Sequence, residues 1–306
     1  MAKLSRQTKE IIKTVLFFLV LALLLFIYVI YPLNRSKAIM GRADVDDYNA
    51  DSVVANDPTA YLEAGLPADT FRLESDGLTV LACLFVSPTG DFAVTPTGTA
   101  ILVHGDTGNR DSLVALASIL HDSGFAVYSY DQRAFERSTG KYRGDGTHEA
   151  SDLEELVSHL EIRNLVTRPL YVVGYQLGAD AALLAAQEEK RINAVVAVSP
   201  YLTTLRMQDA LKERFDTYWF PFYRTIMWWW YEIRSGYATI YRRLEDIRAV
   251  SCRTLVLVPP DQVAGKEVTR LKEVSEPDFL DVRPLPADRN AIHDAIVEFL
   301  VSSRPD

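Results

Sequence analysis

The chain has 306 residues, 48% hydrophobic and 24% charged, enough for one α/β domain of ordinary size beside a short apolar segment. Its formal net charge of −9 argues against nucleic acid as a general partner. Its two cysteines, Cys83 and Cys252, make neither a disulfide scaffold nor a zinc site, and they fit small buried apolar positions better than a bridge. No cofactor-binding or metal-binding pattern stands out.

Residues 14–33 form an uncharged run, TVLFFLVLALLLFIYVIYPL. About 20 apolar residues are what a helix needs to cross a bilayer. The run exceeds the ~7–15 apolar residues of a cleaved signal peptide, and no small-x-small cleavage site follows it closely. It therefore reads as an uncleaved anchor, with Tyr28 and Tyr31 suited to the interface near its outer end. Lys3, Arg6, Lys9 and Lys13 precede it, and Arg35, Lys37 and Arg42 follow. That slight excess of positive charge puts residues 1–13 in the cytoplasm and the remainder outside, in a single-pass topology.

Residues 34–69 are polar and mixed and read as a stalk or lead-in, so the folded domain is expected over 70–306. Strand-like runs at 71–74 and 79–86 are joined through Asp76-Gly77, a hairpin signal. A third strand at 99–103 ends in His104-Gly105-Asp106-Thr107-Gly108, and a helix follows over about 112–121, closed by Gly124. A strand at 125–130 leads into Asp131-Gln132-Arg133 and a loop containing Gly140, Gly144 and Gly146, then a helix near 150–160. The next strand, 170–173, runs into Gly174-Tyr175-Gln176-Leu177-Gly178 and an alanine-rich helix. A strand at 194–198 ends in Ser199-Pro200. Strands alternating with helices predict a mostly parallel sheet between two helical layers, with ligands beyond the carboxyl ends of the strands.

Strand, G-x-x-x-G, helix is the layout of a nucleophile elbow, where small residues let the chain turn sharply and hold one side chain up at a helix N-terminus. That side chain is Gln176, whose carboxamide has no ionisable proton to give up. The order of motifs resembles the α/β-hydrolase superfamily, and within it the membrane-anchored serine hydrolases grouped with monoacylglycerol-lipase-like and serine-aminopeptidase-like proteins. The resemblance covers about residues 71–300. His104-Gly105 matches the family's oxyanion loop. Asp131-x-Arg133 with Ser138 matches its D-x-R-x-x-G-x-S loop, although Glu136 stands where a glycine is usual.

The resemblance implies a three-layer fold with a helical cap, here residues 201–248, and a triad of Ser, Asp and His. At the matching places stand Gln176 for the serine, Asp261 for the acid after the strand at 254–258, and Arg289 for the histidine in the loop 284–290. Of the five histidines, only His293, about one turn past Arg289, offers another base, and it would have no serine to activate. Ser138 and Ser199 are the nearest other hydroxyls, more simply read as structural. Backbone donors around Gly105, Asp106 and Leu177 are expected to remain, which leaves two readings open: a carboxylate or carbonyl oxygen binds there, or Gln176 and Arg289 plug the pocket. Arg289 is expected to pair with Asp261.

All four tryptophans lie in the cap, interleaved with Arg214, Arg224, Arg234, Arg242 and Arg243. Consecutive Trp228, Trp229 and Trp230 cannot share one side of a helix, so at least one is expected to be exposed or in a second contact, which favours a surface on the headgroup layer or a membrane partner over a cap that packs its aromatics on the sheet domain. The favoured reading is a tethered pseudohydrolase that binds a ligand or partner. An active hydrolase of lipid or small esters with a rearranged site, and a structural subunit of a membrane complex, are the alternatives.

Overall fold

The computed structural model describes residues 5–34, 55–77, 79–87, 95–140, 142–203, 252–276 and 278–304, with residues 206, 207, 209, 210, 225, 226, 229, 230 and 233 between them. Most of the expected cap, 201–248, and residues 35–54 of the expected stalk lie outside the described residues.

Helix α1, Arg6–Leu25, starts on Ser5, whose hydroxyl accepts the Thr8 N–H at 3.1 Å. It continues through a π-helical turn, Phe26–Ile30, to Asn34. The whole stretch is 29 residues long, and its most apolar 18-residue window has a mean hydropathy of 2.8, long and apolar enough to cross a membrane. None of its most apolar window is buried in the protein.

The globular part begins earlier than residue 70. Helix α2, Thr59–Glu63, carries Tyr61, which is fully buried against the sheet. Asn56 donates to the carbonyls of Phe71 at 2.8 Å and Cys83 at 3.3 Å. Buried Arg110 donates to the Asn56 side chain and, at 2.5 Å, to the Asp57 carbonyl. Residues 55–67 thus belong to the domain. The sequence concealed this, because a polar segment held through its backbone carries no apolar period.

The strands are β1, Ala68–Ser75; β2, Thr79–Val86; β3, Thr99–Val103; β4, Ala126–Asp131; β5, Leu170–Tyr175; β6, Ala194–Val198; β7, Arg253–Val258; and β8, Leu280–Pro284. They form one eight-stranded sheet in the order β1-β2-β4-β3-β5-β6-β7-β8. β1 pairs antiparallel with β2, and β2 antiparallel with β4. From β4 to β8 every pairing is parallel. Between the strands run α3, Val114–Asp122; α4, Thr147–Ile162; α5, Leu177–Glu188; and α6, Lys266–Val274, and α7, Arg289–Ser302, follows β8.

The alternation of side chains along each strand separates two cores. Ile101, Val103, Val172 and Val195 face α4, α5 and α6. Ala100, Leu102, Val173 and Val196 face α3, α7 and Tyr61. The central strands are apolar on both faces, as parallel strands covered by helices must be. Cys83 and Cys252 are buried and unpaired, and burial raises the pKa of both thiols.

Candidate active site

The elbow forms as its sequence demands. A Cβ on Gly174 would come within 2.2 Å of the Gly178 carbonyl oxygen, and one on Gly178 within 2.4 Å of the His104 carbonyl oxygen. Strand β5, helix α5 and the end of β3 therefore touch backbone to backbone, which only glycine permits. Between them Gln176 sits at φ 48° and ψ −116°, a conformation costly for any residue with a side chain. It is held there by its N–H to the Val198 carbonyl at 2.8 Å, and by its carbonyl, which accepts the N–H groups of Ala179 at 2.9 Å and Asp180 at 3.1 Å. The strained tip is thus intact with glutamine on it.

The Gln176 side chain points at the loop after β3. Its Oε1 accepts the Thr107 hydroxyl at 3.1 Å and lies 2.3 Å from where a Gly105 Cβ would stand. No side chain caps α5, whose first residue is Leu177. The first N–H groups of a helix lack intrahelical acceptors, so donors and the positive dipole end face this spot. Tyr201 donates its hydroxyl to Asp106 Oδ1 at 2.9 Å and so covers the loop from the cap side.

His104 supports the loop from below. It is fully buried, its Nδ1 lies 2.7 Å from the Gly105 carbonyl, and its Nε2 accepts the Gln132 N–H at 2.9 Å. That pattern fixes the Nδ1–H tautomer of a neutral ring, and burial lowers its pKa. Beside it, Arg133 bonds Asp152 at 2.8 and 2.6 Å, and Ser75 donates to Asp152 at 2.5 Å. Glu136 adopts φ 36°, which accounts for the glycine usual at that place. Ser138 donates to the Asp131 carbonyl and accepts the Ala82 N–H at 2.8 Å, so it is a structural hydroxyl. Ser199 follows β6 with φ 52°.

Asp261 lies in a short 3-10 turn just past β7, and Arg289 opens α7 just past β8. They do not pair. Arg289 Nη2 donates to the Ser112 carbonyl at 2.8 Å, and Asp261 is exposed with no hydrogen bond or ion pair among the described residues. A backbone carbonyl left over at the 3-10 turn Arg110–Leu113 takes the guanidinium instead. Arg289 nonetheless reaches the elbow electrostatically. Burial pushes the Tyr175 phenol up to about 12, and the Arg289 charge opposes that shift. His293 is buried on α7 with a lowered pKa, from burial first and the Arg289 charge second. Among the described residues, no group of three or more His, Cys, Asp or Glu side chains is placed to hold a metal ion.

Motif spacing does not single out Asp180. It is fully buried one turn along α5 and accepts the N–H groups of Tyr201 at 3.0 Å and Leu202 at 2.8 Å. It ties the first residues beyond β6 to the elbow helix. Burial pushes its carboxyl up to about 8, against the pull of those two donors. A lone acid inside the run Ala179–Ala186 was the available signal.

An eight-stranded sheet of this topology with an elbow between β5 and α5 defines an α/β-hydrolase fold. The family model described as "Serine aminopeptidase, S33" matches residues 94–257, and the chain belongs to that family. The fold is similar to that of a Pyrococcus furiosus esterase, Pf2001, with a TM-score of 0.61 at 19% identity over 82% of this chain and 96% of the other. It is also similar to the α/β hydrolase GrgF from a Penicillium species, with a TM-score of 0.57 at 16% identity over 78% and 99%. Est1E from Butyrivibrio proteoclasticus, solved with ferulic acid bound, aligns with a TM-score of 0.55 at 18% identity over 76% and 98%. No curated protein matches the chain significantly.

Proposed function

We propose that the protein is a membrane-anchored pseudohydrolase, which binds a ligand or partner through a hydrolase fold without turnover. The observation that carries this reading is Gln176 at the strained elbow tip, with its carboxamide over Gly105. Nucleophilic catalysis needs a side chain that gives up a proton to a neighbouring base, and a carboxamide has none to give. Asp261, Arg289 and Gln176 stand where the family's acid, base and nucleophile stand. Arg289, a permanent cation, donates to the Ser112 carbonyl, and among the described residues no proton acceptor is paired with Asp261.

The ligand chemistry follows from what is left at the elbow. The start of α5 and the backbone around Gly105 and Asp106 favour an anionic or carbonyl oxygen, provided the Gln176 side chain swings off Gly105. In the cap, Trp229 is 54% exposed and Ile233, one turn on, is 47% exposed. Such a pair suits contact with a headgroup layer or a membrane partner. Helix α1 supplies the tether, with residues 1–13 in the cytoplasm and the domain outside.

A second reading, an active hydrolase of lipid or small esters, draws on the esterase likeness and on Ser199 at the end of the strand beside the elbow. Turnover of short activated esters by the full chain in detergent separates the two. The pseudohydrolase reading expects no rate above that of heat-unfolded protein. A rate that tracks with the folded chain and disappears on Ser199→Ala would establish the second. Protease added to intact cells tests the orientation: it should remove the domain, and protection until the membrane is opened would reverse the topology.

A further inference from the structure

We propose that the groove between edge strand β1 and the last turn of α4 is a binding site for a small aromatic carboxylate, separate from the elbow. The inference stands whether or not the elbow turns over an ester.

The groove follows from the way the sheet ends. β1 is an edge strand, and the register sets Asp69 opposite Phe85 and Phe85 opposite Tyr128, one row across β1, β2 and β4. Phe71, two residues along β1 from Asp69, shares that face. His159, on the last turn of α4, stacks on Phe71 with ring centroids 5.6 Å and planes 5° apart. Phe85 stacks on Tyr128 at 4.7 Å. The Tyr128 hydroxyl donates to the Leu165 carbonyl at 3.0 Å and so fixes the chain beyond α4 against the sheet. Between the end of the helix and the row of side chains a cavity of about 210 Å³ remains. That is smaller than the ~300–1,000 Å³ of ordinary ligand pockets, so it suits a small ligand. Its walls are largely ring surface, which favours a flat ring over a saturated chain.

The charges of the groove choose the sign of the ligand. Arg163 lines it four residues on from His159, on the same side of the helix end. Burial lowers the His159 pKa, and the Arg163 charge lowers it further, against the weaker pull of Glu155. The guanidinium therefore acts on the groove's own imidazole. It makes no hydrogen bond or ion pair among the described residues. Arg72 is the second cation of the lining, with Nη1 on the Arg137 carbonyl at 3.4 Å. The one acid of the lining, Asp69, accepts the Thr70 N–H at 2.7 Å. Two guanidiniums thus face one carboxylate, and the balance favours an anion. A guanidinium matches a carboxylate with two parallel N–H bonds. Open N–H groups beside a ring-walled cleft fit a carboxylate carried on an aromatic ring.

The test follows the five histidines of the full chain in maltoside micelles by carbon-13 NMR. The probe is 2-naphthoate, and 2-naphthamide is its neutral control. His159→Gln assigns the His159 signal. Naphthoate should shift that signal saturably and raise the His159 pKa, because an anion beside the ring favours the imidazolium. Naphthamide should leave the pKa where it is. His121, on α3 at the other face of the sheet, should not respond. Arg163 is exposed, so Arg163→Gln should fold as the parent does. That change alone should raise the His159 pKa, since it removes a neighbouring cation. It should also weaken naphthoate about tenfold or more, the loss typical of one hydrogen bond to a charged group. No saturable shift at His159 would overturn the site. Equal binding of naphthoate and naphthamide, unchanged by Arg163→Gln, would overturn it too.

Discussion

The carboxamide oxygen of Gln176 lies against Gly105, 2.3 Å from the place a Cβ would take. In a hydrolase of this fold, that region takes the substrate's developing oxyanion. Here a side chain from the nucleophile position fills it and is fastened there by the Thr107 hydroxyl. On the pseudohydrolase proposal, loss of the nucleophile and occupation of the pocket are one substitution.

Glycine replacements should separate the pocket from the scaffold. Gly105→Ala meets the flexible end of the Gln176 side chain at 2.3 Å, which can rotate away, and the Gln176 Cβ at 3.2 Å, which needs a shift of only a few tenths of an ångström, so the cost should stay within the ~1–3 kcal/mol typical of overpacking. Gly178→Ala drives a methyl into the backbone carbonyls of His104 and Val103, at 2.4 and 2.6 Å, where nothing can swing aside. It should cost more than that range or prevent folding. Urea unfolding of the two variants checks the order, and equal losses would mean that the Gln176 side chain is rigidly held.

Gln176→Ser alone should show no ester turnover, because a serine without a base stays protonated. Arg289→His alone should show none either, and should lose only one exposed bond to the Ser112 carbonyl. Together they should give a low, measurable rate on a short activated ester, since general-base help is worth ~10²–10⁴. Turnover in Gln176→Ser that vanishes on changing His293 would move the base one turn along α7.

The fold was legible because its signals are local. The Asp76-Gly77 turn, the two-sided apolar strands and the paired glycines of the elbow each follow from backbone geometry over a few residues. The site was legible only as positions in a chain. Nothing in the spacing of Asp261 and Arg289 says whether they touch, and a carbonyl at Ser112, 177 residues away in sequence from Arg289, won the guanidinium. Asp180 was overlooked for a similar reason. Its partners, Tyr201 and Leu202, are backbone groups, which leave no mark on residue type.

Asp180 predicts a falling stability as pH rises. Its pKa is raised in the folded state to about 8 from the ordinary 3.8, so the folded chain binds the extra proton between those values. Stability contributed by that proton is full below the lower value and lost as pH approaches the upper one, with a slope of at most about 1.4 kcal/mol per pH unit. Asp180→Asn, which keeps an acceptor for one of the two N–H groups, should flatten the unfolding free energy between pH 6.5 and 8. An unchanged slope would assign it to another group.

His104 acts in the opposite sense. Its folded pKa lies below the ordinary 6.5, so its contribution is present above that value and is lost as pH falls beneath it. His104→Ala leaves the Gln132 N–H and the Gly105 carbonyl without their partners and should cost about 1–3 kcal/mol per buried group left unsatisfied. Thermal unfolding at pH 5 and pH 7 should show the parent losing stability at the lower pH and the variant losing less.

The central claim is that the elbow holds no activated nucleophile. The most direct measurement is intact-protein mass spectrometry of the folded full chain after a fluorophosphonate probe, which labels only a serine made reactive by a base. The account predicts the unmodified mass for the parent and an added phosphonyl group only in the variant carrying both Gln176→Ser and Arg289→His. Stoichiometric labelling of the parent, lost when the chain is unfolded, would contradict it.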